Sequence, residues 1–183
     1  MKMLNSSQSI LRKLAADSSG AEIAEAAAVL PLMFMILLGI FWFGQAFSIY
    51  GTITRAAQDG ARAGAAPYCT TCTASTLSQY ETNAVNTVQS AMHASKLDPT
   101  QARSPIPAPV YTACPRTAAV ACTSGSINVC APVQLASPVT GAAGVCGVSV
   151  SFQYPFQFWL PFTSLNKQKI WLTASARVRM ENQ

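Results

Sequence analysis

The sequence predicts an α+β protein with a long N-terminal transmembrane helix, a second amphipathic helix and a small antiparallel C-terminal sheet. Three observations predict it. An uncharged apolar run lies near the N-terminus. Apolar residues then recur every three or four positions, the period of a helix. Near the C-terminus they recur every second position, the period of a half-buried strand.

The apolar run comes first in the chain. No charged residue occurs between Glu25 and Arg55. Its most apolar part, Ala26 to Phe47, is about 22 residues long. At about 1.5 Å per residue it rises about 33 Å, enough for a hydrocarbon core about 30 Å thick. Pro31, Gly39 and Gly44 weaken a helix in water, but membrane helices tolerate them. Tyr50 sits where an interfacial aromatic belongs. Lys2, Arg12 and Lys13 precede the run, against Asp17 as the one acid before Gly20. Positive charge stays inside, so the N-terminus is expected to be cytoplasmic. A cleaved secretory signal fits poorly. Its apolar region is about 7–15 residues and ends in a small-residue site, and Gln45-Ala46 offers no convincing one.

Beyond Tyr50 the helical pattern continues through Ile49, Ile53, Ala56, Ala57 and Ala61. Arg55, Gln58, Asp59 and Arg62 occupy other positions, and Pro67 closes the helix. A second helix is predicted from Leu77 to Met92, with Ser75 or Thr76 as its cap. From Asp98 to Pro115 the prolines Pro99, Pro105, Pro107, Pro109 and Pro115 make an irregular connector. Three strands follow. Ile127 to Val133 alternates weakly. Val145 to Phe156 sets Val148, Val150, Phe152 and Tyr154 on one face. Ile170 to Met180 sets Ile170, Leu172, Ala174, Ala176, Val178 and Met180 on one face and Trp171, Thr173, Ser175, Arg177 and Arg179 on the other. Pro155 to Asn166 reads as a wide hairpin connection.

Composition narrows the function. Hydrophobic residues make up 50% and charged residues 10%, against about 25% charged in ordinary soluble domains. The net charge of +5 comes from scarce acids, with no run of Lys and Arg. Nucleic acid is therefore not an expected partner. The six cysteines, Cys69, Cys72, Cys114, Cys122, Cys130 and Cys146, all follow the apolar run. An even count on one side of a membrane reads as disulfides in an oxidising compartment, with the pairing left open.

Catalytic signals are weak. Cys69-Thr70-Thr71-Cys72 has redox spacing, but it follows a long helix and Pro67 where a redox motif needs a βαβ setting. Zinc needs four ligands, and this pair supplies two. His93 is the one histidine. It sits near a helix end, without the nucleophile and orienting partner that a hydrolase triad needs. No phosphate loop is present. Phe152, Tyr154, Phe156, Phe158, Trp159 and Phe162 read as the core of a small sheet sooner than as a binding surface. No enzymatic activity, cofactor or metal is expected.

The head of the apolar run carries more information: Ser18-Ser19-Gly20-Ala21-Glu22-Ile23-Ala24-Glu25. An acid at the membrane edge needs a reason, since Asp at a helix centre costs about 2.5–3.5 kcal/mol on insertion scales. A place in the first helical turn would lower that cost through the macrodipole. Gly20, Glu25 and Pro31, with Ala24-Glu25-Ala26-Ala27-Ala28-Val29-Leu30-Pro31 and Arg55-Ala56-Ala57-Gln58-Asp59-Gly60-Ala61-Arg62, resemble TadE-like minor pilins (pseudopilins) of tight-adherence (Flp/Tad) pilus systems, in the type IV pilin superfamily. The aromatic C-terminal strands ending at Arg177-Val178-Arg179-Met180-Glu181 are similar as well, more loosely.

The resemblance implies a pilin-like fold and a structural role in pilus biogenesis, adhesion or a secretion-related filament. It implies cleavage after Gly20 by a prepilin peptidase, leaving Ala21 as the new N-terminus. Glu25 is then the acid that pairs with a neighbouring subunit's amine; Glu22 is a second acid. The implied partners are the membrane, the peptidase, other pilin or pseudopilin subunits and the assembly machinery. The implied location is the bacterial inner membrane, with a single pass. The chain then divides into a basic cytoplasmic leader (1–20), a transmembrane and extended helix (21–64) and a periplasmic or extracellular domain (65–183). Two rival readings stand beside it: a membrane-anchored extracytoplasmic binding protein, and a thiol–disulfide protein using Cys69 and Cys72.

Overall fold

Helix α1 spans Ser18–Ala65 and helix α2 spans Leu77–Ala94. After a 3-10 turn at Pro99–Gln101 come β1 (Ala121–Cys122), β2 (Asn128–Ala136), β3 (Val145–Gln157) and β4 (Lys169–Arg179). The structure, a computed structural model, describes residues 18–66, 77–114, 120–123, 125–136, 145–157 and 169–180. The basic leader to Asp17, Pro67, Cys69, Cys72, the cap at Ser75 or Thr76, Pro115, and Phe158, Trp159 and Phe162 lie outside these residues. The α+β expectation holds, with both helices and all three long strands close to their expected bounds. The two-residue strand β1 was not foreseen, because two residues carry no period.

The chain forms two compact units, Met1–Gln45 and Ala46–Gln183. In the second, the strands form one antiparallel sheet in the order β1-β2-β3-β4. Its apolar core joins Ile53, Ala56, Ala57, Ala61 and Ala65 of α1 to Ala84, Val88 and Met92 of α2 and to Val129, Val148, Val150, Phe152, Tyr154 and Ala174 of the sheet. Small residues on α1 bring the helices close. A Cβ at Gly60 would overlap Val88 Cγ2 and lie 3.0 Å from Ala84 O. Helix α2 ends in a Schellman motif: Leu97 N donates to Met92 O (2.9 Å) and Lys96 N to His93 O (2.9 Å). Lys96 takes the left-handed conformation this requires, at φ 59°.

One expectation needs correction. The alternation of β3 predicts one buried face, and Val148, Val150, Phe152 and Tyr154 are indeed buried. Yet Ser149, Ser151 and Gln153 on the opposite face are buried too. The proline-rich connector covers that face. Arg103 and Gln153 exchange two backbone hydrogen bonds (2.9 and 2.8 Å). Arg103 Nε donates to Gln153 Oε1 (3.1 Å), and Gln153 Nε2 donates to Thr173 Oγ1 (3.0 Å). Ser149 Oγ donates to Tyr111 OH (2.8 Å). The Arg103 guanidinium lies 3.3 Å from the Trp171 ring centre, and that of Arg177 lies 5.0 Å from the Tyr111 ring centre. Ser149 and Gln153 are thus buried with side-chain partners, as burial demands, whereas the buried Ser151 Oγ has none among the described residues.

Two prolines mark irregularities. Between Cys130 and Val133, β2 shifts register by one residue against β3, at Ala131-Pro132; a bulge tolerates proline where a regular ladder does not. Pro155 lies within β3 opposite Trp171, so the strand runs further than the hairpin expected from Pro155 onward. Gln153 turns its backbone groups toward Arg103, away from β4. By period two Pro155 turns its missing N–H the same way, so no β3–β4 bond is lost. Ile170, expected on the buried face, is 45% exposed. It pairs with Phe156, beyond the sheet residues of the core.

Two disulfides join described cysteines. Cys114 bonds Cys146 (Cα–Cα 5.3 Å), and Cys122 bonds Cys130 (Cα–Cα 4.1 Å) across the β1–β2 pair.

Candidate functional site: the exposed N-terminal helix

In the first unit, α1 is apolar around its circumference. Its best membrane window has a mean hydropathy of 2.4 and is 0% buried within the protein. Ile23, Val29, Leu30, Leu32, Met33, Phe34, Met35, Ile36, Leu37, Leu38, Ile40, Phe41 and Phe43 are all exposed. Water would penalise that surface at about 25 cal/mol per Å², far beyond the apolar patches of soluble monomers. A bilayer removes the penalty, and length and composition fit a membrane anchor. Pro31 lies inside the helix, where it removes one backbone hydrogen bond.

One face of this helix has a recess lined by Ala26, Val29, Leu30, Met33, Phe34 and Leu37. The spacing of three, four, seven and eight is that of a continuous helical row. Stepping back by four residues from Ala26 and from Val29 reaches Glu22 and Glu25. Both acids therefore stand at the N-terminal end of the same row. Both are exposed. Among the described residues, neither makes an ion pair within the chain.

Gly20 is exposed, and a Cβ there would meet nothing within 4 Å. The Gly20–Ala21 peptide lies within the helix, which begins at Ser18. That start corrects one expectation: the first turn of α1 holds no acid, so Glu22 and Glu25 lie beyond the strongest part of the macrodipole field. The Arg55–Arg62 segment lies in the second unit and does a packing job. Ala56, Ala57 and Ala61 enter the core and Gly60 meets α2, while Arg62 and Asp59 face solvent 3.7 Å apart. Sequence reading named these positions but missed their contact with Ala84 and Val88; the run of small residues was the available signal.

The remaining candidates fall away from any shared site. His93 is exposed in the last turn of α2. Phe152, Tyr154 and Phe156 are buried in the sheet. Among the described residues no group of His, Cys, Asp and Glu could hold a metal.

The class defined by these features is an α+β protein whose apolar N-terminal helix fits a membrane anchor and carries two acids near its start. Its N-terminal segment is similar to one family: residues 20–62 match the family model described as TadE-like protein. The match begins at Gly20 and closes at Arg62, and it does not reach the looser C-terminal resemblance at Arg177–Glu181. No match was found among curated proteins or among solved structures.

Proposed function

We propose that the chain is a minor pilin or pseudopilin of a tight-adherence pilus, made as a single-pass inner-membrane protein and matured by a prepilin peptidase. The observation that carries this reading is the continuous row from Glu22 and Glu25 through Leu37, exposed throughout and matched by the TadE-like model. Such a row is suited to lateral packing against helices of like character. A carboxylate at its end needs a cationic partner once water is excluded. A free amine on the first residue of a neighbouring subunit supplies one, and it fixes the axial register of the two helices.

Cleavage after Gly20 would also change the electrostatics of this chain's own helix. With Ala21 as the first residue, Glu22 enters the first turn and Glu25 lies just beyond it. The positive end of the macrodipole then favours both carboxylates. The peptidase must first unwind the turn at Gly20–Ala21. Glycine weakens a helix by about 1 kcal/mol relative to alanine, which eases that opening.

The test is the mature N-terminus of the membrane-extracted protein, read by mass spectrometry with and without a co-expressed prepilin peptidase. Peptidase-dependent appearance of an Ala21 start is the expected result. An uncut chain in both samples would remove the proposal, and the outer domain would then be the place to seek a function.

A further inference from the structure

The two edges of the sheet differ. On one side β1 has two residues and is tied to β2 by the Cys122–Cys130 disulfide. On the other side β4 has 11 residues and pairs only with β3 among the described residues. Met180 N donates to Cys146 O (3.1 Å), so even-numbered residues at this edge turn their backbone groups toward β3. Gln153, an odd residue of β3, turns its own away from β4 to Arg103. Period two then points the N–H and C=O groups of Trp171, Thr173, Ser175, Arg177 and Arg179 outward. Long unpaired edges of this kind are templates for another strand.

The side chains along the edge state what that strand must look like. The four strands contain three cations, Lys169, Arg177 and Arg179, and no carboxylate. All three cations are on β4, exposed, and on one face with exposed Thr173 and Ser175. A second copy of the chain sets cation against cation in two central registers. Antiparallel self-pairing about Thr173 sets Lys169 opposite Arg177, and pairing about Ala174 sets it opposite Arg179. Like charges directly opposite destabilise a strand pair. An acidic strand meets the same positions with opposite charge.

We propose that the outer edge of β4 is a docking site for an extended acidic segment of another protein, added as a fifth antiparallel strand. Backbone hydrogen bonds hold the segment, and carboxylates at alternate positions pair with Lys169, Arg177 and Arg179. The edge does not depend on the reading of the N-terminal helix, and a failed peptidase assay leaves it standing.

The test uses the full chain in detergent micelles and a short fluorescent peptide that alternates glutamate and valine, followed by anisotropy. A matched peptide alternating lysine and valine is the control. Saturable binding of the acidic peptide is expected, and none of the basic one. Ser175→Pro removes an outward N–H while keeping every bond to β3, and should abolish binding. The double variant Lys169→Glu, Arg179→Glu should lose about tenfold or more for the acidic peptide and gain binding of the basic one. It leaves Arg177 on Tyr111 and keeps the test valid if the proline variant fails to fold. No saturable binding, unchanged binding in the double variant, or equal binding by a folded Ser175→Pro chain would each overturn the proposal. So would concentration-dependent dimers of the chain that the proline variant removes.

Discussion

Between Ile23 and Phe43, α1 presents Leu, Ile, Met, Val and Phe side chains, and all stand exposed on the chain. Between Ile53 and Ala65 the same helix presents chiefly alanine and glycine on its packed side, and Ile53, Ala56, Ala57, Ala61 and Ala65 are buried. Hydropathy alone would rank these stretches in the wrong order as a protein core. Residue size separates them. Where water surrounds the protein, α1 must approach α2 closely to exclude it, and small side chains permit the approach. Where lipid is the solvent, apolar bulk can face outward without penalty.

The comparison breaks most visibly under one substitution made in both regions. Phe152 is fully buried in the sheet and Phe34 is exposed on α1. Phe152→Ala should destabilise the domain formed by Ala46–Gln183 by about 3–5 kcal/mol, the usual loss for a buried phenylalanine. Phe34→Ala should leave that domain's stability unchanged. Urea unfolding of the full chain in detergent, followed by near-ultraviolet dichroism, measures both. Equal losses would mean that the exposed half of the helix contributes to the domain's core.

Glycine sharpens the contrast at a smaller scale. A Cβ at Gly60 would overlap Val88 Cγ2, whereas Gly39 and Gly44 have nothing within 4 Å. Gly60→Val should therefore cost about 1–3 kcal/mol by overpacking the α1–α2 contact. Gly39→Val should cost that domain nothing. The same unfolding assay decides, and a Gly60→Val chain as stable as the parent would show that α2 can move aside.

Much of this was legible in the sequence because it is periodic. The charge gap from Glu25 to Arg55 and the alternation in Ile170–Met180 are patterns of one residue against the next. The helices and the long strands followed from them, whereas the likeness of residues 20–62 to the TadE-like model rested on particular residues, Gly20, Glu25 and Pro31 among them. The cover on the second face of β3 was not legible. It depends on Arg103 and Tyr111, which lie 50 and 38 positions from their partners, in a connector whose prolines carry no period. The disulfide pairing was hidden for the same reason, since cysteine spacing constrains reach but not partner. The start of α1 at Ser18 was missed because Ser18, Ser19 and Gly20 are weak helix formers that read as a boundary.

The smallest expected effect lies in that connector, at the turn after α2. Asp98 accepts hydrogen bonds from Thr100 Oγ1 (2.7 Å) and Thr100 N (3.0 Å) as the cap of the 3-10 turn. These bonds favour the carboxylate and hold its pKa below the ordinary value of 3.8. A group with a depressed folded pKa stabilises the fold above its unfolded pKa and loses that contribution as pH falls through the folded one. Asp98→Asn keeps an oxygen acceptor and removes the charge. The parent should thus be slightly more stable than Asp98→Asn at neutral pH, by a gap that is flat down to about pH 5 and closes below 3.8. Unfolding midpoints of both chains across that range measure the gap. A gap that widens on acidification would show that the charge opposes the turn and that Thr100 holds the aspartate by geometry alone.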